Sequence, residues 1–234
     1  LQAEAGIRDL DSSLVGSEMC IRDSPSPDET SYYEPSGYVA QFETVRRDLG
    51  ADRVLVIGQS MGAALSLHYA HAHPEQVIGL VMTNSSSAFT DADKWRHRHA
   101  TMVMDRARDV RDKGVESLRD NWINPSRSRR IPEATRTALA AEFGEHQTEG
   151  IARSFEITNR QLPLGAKLAD ITVPSILTVG MDEERFLPLV DQARLIPQIE
   201  VAEIDASHAV NAQNPSQWND VVVDFIRRAT KATP

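Results

Sequence analysis

The sequence contains a single cysteine, Cys20, among 234 residues, which excludes an internal disulfide and a zinc cluster built from cysteines. It has no run of about 20 apolar residues, the length that a membrane-spanning helix needs. Acidic residues outnumber basic ones by 34 to 25, and the formal net charge of −9 argues against a nucleic-acid partner, because phosphate binding needs a basic surface. We therefore expect a cytoplasmic protein that acts on a small molecule, with neither nucleic acid nor a membrane as partner.

The N-terminal 24 residues differ from the rest of the chain. They contain no apolar run of four residues and no lasting helical periodicity. The stretch from Leu14 to Ser24 is similar to a translated artefact found at the ends of assembled environmental sequences. We expect residues 1–24 to be a non-native segment on a chain truncated at its N-terminus; the alternative is a genuine but irregular arm.

Residues 54–73 carry the most informative motif. Val54 to Ile57 form a short β-branched run typical of a buried parallel strand, and the residues after Gly62 suit a helix packed on a sheet. Between them, Gly58-Gln-Ser60-Met-Gly62 has the Gly-x-Ser-x-Gly spacing of a nucleophile elbow. Such a turn lifts the serine hydroxyl out of the sheet and needs glycine at 58 and 62, where a Cβ would collide with the adjoining strand and helix. An incidental serine in an ordinary turn is the alternative.

Strands and helices alternate along the remaining chain. Gly37 to Gly50 has helical periodicity, Val77–Met82 is a second buried strand, and residues 88–165 have apolar residues at helical spacing among many charges. Further strands are predicted at Val173–Gly180 and Glu200–Ile204, and a last helix begins at Pro215. The predicted division is therefore core at 25–87, a helical insertion at 88–165 and core again at 166–234.

This order of elements resembles the α/β-hydrolase superfamily, in particular its serine-nucleophile branch of esterases and lactonases. The resemblance covers residues 25–230 and rests on three motifs: Gly58–Gly62, Val179–Glu183 and Asp205–His208. It implies an α/β fold with a mostly parallel sheet flanked by helices, and the insertion as a cap. It further implies Ser60 as nucleophile, His208 as general base and a carboxylate that orients the histidine, without a cofactor.

Two neighbouring residues are candidates for the carboxylate that orients the histidine. In the family it is an Asp that follows a Gly by three positions, which by spacing indicates Glu183 and by residue type indicates Asp182. One extra methylene moves a carboxylate by only about 1.5 Å, so both fit, with a slight preference for Glu183. Glu184 is less favoured, because successive side chains leaving a strand point in different directions. Asn84, after the second strand, is interpreted as a turn cap or as a residue lining the pocket.

The oxyanion hole is the weak part of the pattern. The backbone N–H of Met61, directly after the nucleophile, would be one donor. The family takes the second from a loop often marked by His-Gly, and neither that motif nor the four strands that normally precede the elbow occur before residue 58. We expect the strand at 54–57 to form an exposed apolar edge, and the missing motif argues against full activity of this chain.

The remaining histidines do not indicate a metal site. His68, His71 and His73 lack the i, i+4 spacing that places two ligands on one helical face, and His97 and His99 are expected to face solvent.

The expected reaction is hydrolysis of a small carboxylic ester or lactone through an acyl-enzyme. One alternative is a lyase, because residues 113–118 and 182–186 resemble parts of the menaquinone-pathway synthase that eliminates pyruvate. A non-catalytic, hydrolase-like binding module is the other alternative.

Overall fold

The structure, a computed structural model, describes residues 28–119, 124, 127–143 and 146–231. The N-terminal segment 1–24, predicted to be non-native, lies outside the described residues. In the part of the chain that the structure describes, every helix is too short or too polar to span a bilayer.

Four parallel strands form one sheet in the order β1-β2-β3-β4. The strands lie at Val54–Gln59, Val77–Thr83, Ser175–Gly180 and Ile199–Ile204, respectively. Each strand predicted from the sequence is present, with ends that differ by no more than two residues. Because the strands are parallel, their carboxyl ends meet at one edge, where ligand sites form in folds of this class.

The described residues contain nine α-helices of four or more residues: α1 Pro35–Asp48, α2 Met61–Ala72, α3 Ser86–Phe89, α4 Ala92–Lys113, α5 Glu133–Phe143, α6 Thr148–Arg153, α7 Leu187–Arg194, α8 Val210–Gln213 and α9 Pro215–Lys231. A tenth α-helix, at Asn159–Gln161, has only three residues. The helix expected to start at Gly37 begins two residues earlier, because Pro35 suits the first helical turn. It ends before Gly50, whose φ of 61° follows the helix in the left-handed region.

Both faces of the sheet are covered by helices, which explains the continuous apolar runs of the strands. Leu80 and Leu177 belong to a core cluster shared with α2 and α7, whereas Val81 and Ile176 belong to a second cluster with α9. Helix α9 contributes to the second cluster the buried residues of one of its faces, which recur at spacings of three and four: Trp218, Val222, Phe225 and Ala229.

The described elements between β2 and β3 are helical. Helices α4 and α6 share a separate small core that includes Val103, Val110, Ala152 and Phe155. After α6 the chain passes through a π-helical turn at Ser154–Thr158. The insertion therefore has packing of its own, while its role as a cap stays a prediction.

Strand β1 is an edge strand of the sheet formed by the described residues. The expectation of an exposed apolar edge holds for its position, but Val54 to Ile57 are partly buried rather than exposed. Val54 and Val56 pack against one core cluster and Ile57 against the other. Side chains of a strand point to the two faces of the sheet, so the helices on those faces cover them even at an edge.

Candidate active site

Ser60 occupies a strained turn between β1 and α2. Its φ is 53° and its ψ is −115°, a conformation that non-glycine residues rarely adopt. The turn is held on both sides: the Ser60 N–H donates to the Thr83 carbonyl at 2.9 Å, and Ser85 Oγ donates to the Ser60 carbonyl at 2.6 Å. Strain of this kind persists only where surrounding contacts impose it, and it is concentrated at functional sites.

Gly58 lies where the strand and helix of this turn approach most closely. A Cβ added there would lie 2.4 Å from the Gly62 carbonyl oxygen and 2.5 Å from Ser66 Oγ. Backbone atoms cannot shift that far without loss of the turn, so residue 58 has to be glycine. Gly62 is buried and supplies the carbonyl in this contact.

Glu183 is the carboxylate that the structure brings to His208. Its Oε2 lies 3.2 Å from His208 Nδ1, and its side chain is 18% exposed. The hydrogen bond with His208 lowers the pKa of the Glu183 carboxyl below its ordinary value, although burial acts in the opposite direction. Glu183 therefore stays ionised beside the imidazole.

Asp182, the other candidate acid, is held by a different partner. Arg130 forms an ion pair with Asp182 through Nη1 and with Asp205 Oδ1 through Nη2, the latter at 2.8 Å. The Asp182 side chain is 60% exposed. Spacing from Gly180, rather than residue type, thus agrees with the observed pairing, and Glu184 is exposed in the same turn.

The loop that carries His208 is held from several sides. The His208 carbonyl accepts from Gln59 Nε2 at 3.5 Å and from Asn84 Nδ2 at 3.3 Å. The Ser207 N–H donates to Gln213 Oε1 at 2.6 Å. Since Gln59 directly precedes Ser60, the serine and the histidine lie on neighbouring segments at the carboxyl edge of the sheet.

Part of the insertion packs beside the histidine loop. Ile131 and Leu139 form a small cluster with Ala209, and Ala212 packs against it. Ser128 Oγ accepts from Gln213 Nε2 at 2.9 Å. Together with Arg130, these contacts attach residues 128–139 to the two loops that carry Glu183 and His208.

Met61, the predicted oxyanion donor, is the first residue of α2. The first N–H groups of a helix have no carbonyl partner within it, so this one is suited to bind developing negative charge. The predicted absence of a second donor stays a prediction.

Two of the remaining histidines contact other groups of the protein. His68 Nε2 lies 2.9 Å from the Leu162 carbonyl oxygen, and burial lowers the pKa of its imidazole. His99, expected to face solvent, stacks on Trp95 with ring centroids 3.7 Å apart. Its imidazole can do so because it follows Trp95 by one helical turn. Within the described ranges, no three His, Cys, Asp or Glu residues are grouped as metal ligands.

Sequence reasoning missed the roles of Arg130 and Asn84. Arg130 lies among several arginines in the insertion, and the residues alone give no reason to select it. Asn84 was expected to cap a turn or to line the pocket, whereas its side chain bonds to residues about 100 positions away. Its position directly after a buried strand was the available signal.

A family model of the alpha/beta hydrolase fold matches residues 22–215. This chain therefore belongs to the alpha/beta hydrolase fold family, as the resemblance in the sequence implied.

Its relatives are enzymes of more than one kind. The chain is 24% identical over 203 residues, 83% of its own length and 73% of the relative's, to a putative 2-succinyl-6-hydroxy-2,4-cyclohexadiene-1-carboxylate synthase of Bacillus subtilis. It is 25% identical over 200 residues, 80% of this chain and 67% of the relative, to a 2-hydroxy-6-oxononadienedioate/2-hydroxy-6-oxononatrienedioate hydrolase of Klebsiella pneumoniae. The structure of MenH from S. aureus superimposes with a TM-score of 0.75 and 17% identity, covering 89% of this chain and 80% of that one. This last likeness concerns the fold.

Proposed function

We propose that this chain is a serine hydrolase that cleaves a small carboxylic ester or lactone through an acyl-enzyme. The observation that carries the proposal is the 3.2 Å pairing of His208 Nδ1 with Glu183 Oε2, next to the strained turn at Ser60. A serine hydroxyl is a weak nucleophile until a base within reach takes its proton, and an imidazole oriented by a carboxylate is such a base. A purely structural ion pair would not require a strained serine beside it.

The proposed reaction begins when Ser60 Oγ attacks the carbonyl carbon and His208 Nε2 accepts the hydroxyl proton. Glu183 keeps Nδ1 as the protonated nitrogen and stabilises the imidazolium. The Met61 N–H donates to the oxyanion. The bond to the leaving alcohol oxygen then breaks as His208 returns the proton to it, and water activated by His208 hydrolyses the acyl-enzyme. In a lactone the leaving alcohol remains attached to the acyl group.

We assign substrate selection to the insertion, acting as a cap. Ile131 and Leu139 pack beside the residues that follow His208, and Arg130 reaches the turn that precedes Glu183. Residues 128–139 thus adjoin the two loops that carry the catalytic base and acid. A ligand bound beside His208 would meet this part of the insertion.

A second candidate is the elimination carried out by a synthase. The B. subtilis relative with this printed function aligns with 83% of the chain. Residues 113–118 and 182–186, which resemble parts of such a synthase, lie at the end of α4 with the turn that follows it, and in the acid turn. In that reaction Ser60 would act as a base, and no ester with the enzyme would form.

The test uses a fluorophosphonate probe together with a panel of p-nitrophenyl esters and lactones. We expect labelling and turnover by the wild-type chain, and a loss of kcat on the order of 10⁶-fold in Ser60→Ala. Ser175→Ala is the matched control, because its buried hydroxyl donates only to the Val173 carbonyl, 2.9 Å away at the opposite end of β3. We expect the Ser175→Ala variant to be labelled by the probe and to hydrolyse the esters as the wild type does.

Three results would contradict the ester or lactone assignment. Labelling without ester turnover, together with release of pyruvate and formation of 2-succinyl-6-hydroxy-2,4-cyclohexadiene-1-carboxylate when the substrate of the synthase is added instead of an ester, would support the synthase. Absence of labelling would support a non-catalytic binding module. Full activity of Ser60→Ala would remove Ser60 from the mechanism.

A further inference from the structure

Asn84 follows β2 directly and is 1% exposed. Its backbone φ is 35°, in the left-handed region where asparagine is tolerated better than most residues. A buried amide side chain has two donor hydrogens and an acceptor oxygen, and each is costly to leave unpaired. The hydrogen-bond partners of the Asn84 amide therefore indicate which parts of the structure it connects.

The side chain of Asn84 joins two loops of the site. Its Nδ2 donates to the Ser207 carbonyl at 2.8 Å and to the His208 carbonyl at 3.3 Å. Its Oδ1 accepts from the Gly180 N–H at 3.1 Å. The orientation of the amide follows from these partners, because only the amide nitrogen can donate to carbonyls and only the oxygen can accept from an N–H.

These two loops carry the two members of the histidine–carboxylate pair. Gly180 begins the turn that ends at Glu183, whose N–H donates to the Gly180 carbonyl at 3.0 Å. The loops also touch: a Cβ on Gly180 would lie 2.0 Å from the Ser207 carbonyl oxygen. Asn84 thus bonds to both sides of the contact that sets the position of Glu183 relative to His208.

We propose that Asn84 is a positioning residue that holds Glu183 and His208 at hydrogen-bonding distance through the Gly180 N–H and the Ser207 and His208 carbonyls. This proposal rests on the proposed function, because it assigns Asn84 to the same site. Asn84 touches neither the substrate nor the reacting atoms in this role. Its contribution is to fix the geometry of the base before the substrate binds.

A competing explanation is that asparagine stands at 84 only because of its positive φ. Asn84→Gly separates the two, because glycine accepts this backbone conformation and lacks the amide. We expect kcat of Asn84→Gly to fall about 10²-fold with little change in KM, since a misplaced base slows chemistry more than binding. Asn84→Asp keeps an acceptor for Gly180 but cannot donate to the two carbonyls, and kcat should fall similarly.

The control for lost stability is Ser175→Ala, at the other end of β3. It removes a buried side-chain hydrogen bond at the first residue of β3 and should leave kcat unchanged. Wild-type kcat in Asn84→Gly or in Asn84→Asp would overturn the proposal.

A second readout does not depend on turnover. The Nδ1–H proton resonance of His208, assigned by its absence in His208→Gln, reports the hydrogen bond to Glu183 directly. It should be present in the wild type and in Ser175→Ala and be lost or shifted in Asn84→Gly. If the wild type is neither labelled nor active, the proposed function fails, and this resonance alone decides the role of Asn84: an unchanged signal in Asn84→Gly overturns it.

Discussion

Two carboxylates, Glu43 in α1 and Glu183 after β3, have a lowered pKa for different reasons. Glu43 accepts from Arg46 at 2.7 and 2.9 Å, from Arg47 at 2.8 Å and from the Tyr69 hydroxyl at 3.0 Å. The Arg46 hydrogen bonds are the main cause of its low pKa. Glu183 is instead paired with His208, and that bond is the main cause in its case.

The difference lies in what each partner can do. Arginine keeps its charge at every accessible pH, so the Glu43 cluster can only join α1 to α2. An imidazole can take up and release a proton in the course of a reaction, so the Glu183–His208 pair is suited to the acid–base role proposed for it. A lowered carboxyl pKa alone therefore does not mark a site, because structural ion pairs produce it as well. The identity of the partner separates the two cases.

Of the changes at these two carboxylates, the largest expected effect is on catalysis, from substitution of Glu183. Glu183→Gln keeps the shape of the side chain but no longer fixes the tautomer of His208 or stabilises its positive charge. We expect kcat to fall by about 10⁴-fold with little change in the folded structure. The measurement is steady-state hydrolysis of the best ester found in the substrate panel.

Asp182→Asn is the matched control for that experiment. It changes the neighbouring carboxylate in the same turn, whose partner is Arg130 rather than His208. It should retain kcat within about twofold, as expected for an exposed ion pair. A larger loss in Asp182→Asn than in Glu183→Gln would assign the acid to Asp182 instead.

The next effect is on stability at the Glu43 cluster. In Glu43→Gln, the poorly exposed Arg46 and the exposed Arg47 both lose a charged acceptor, while the candidate active site is unchanged. We expect thermal unfolding about 5 °C lower and kcat within about twofold of the wild type. Glu75→Gln, an exposed carboxylate after α2, is the control and should have the wild-type Tm. A Glu43→Gln variant that loses activity at an unchanged Tm would contradict the purely structural role.

The same contrast explains how much could be predicted from the sequence. The turn at Ser60 depends on residues close in sequence, because the absence of a Cβ at Gly58 makes room for the backbone of Gly62. The Gly-x-Ser-x-Gly motif therefore predicts the turn. The alternation of strands and helices is equally local. The superfamily and the parallel sheet were therefore predicted correctly.

The acid could not be decided in that way. The pairings of the two candidates involve residues distant in sequence: Asp182 pairs with Arg130, 52 positions earlier, and Glu183 pairs with His208. The role of Asn84 likewise depends on Gly180 and Ser207, 96 and 123 positions away. Nothing local in the sequence identifies such partners, because only the folded sheet brings them to one edge.

The smallest expected effect distinguishes the two carboxylates by acid unfolding. Both carboxyls have folded-state pKa values below the ordinary 4.5, so the unfolded chain binds more protons than the folded one in acid. Their stabilisation is complete above about pH 4.5 and is lost as the pH falls through the folded-state values. Each substitution by glutamine should therefore flatten the dependence of the free energy of unfolding on pH, measured by urea titration between pH 3 and 7. Glu43→Gln should flatten it more, because four donor hydrogen bonds favour that carboxylate over its protonated form. A larger flattening in Glu183→Gln would show that the His208 pair carries more of the stability than the arginine cluster.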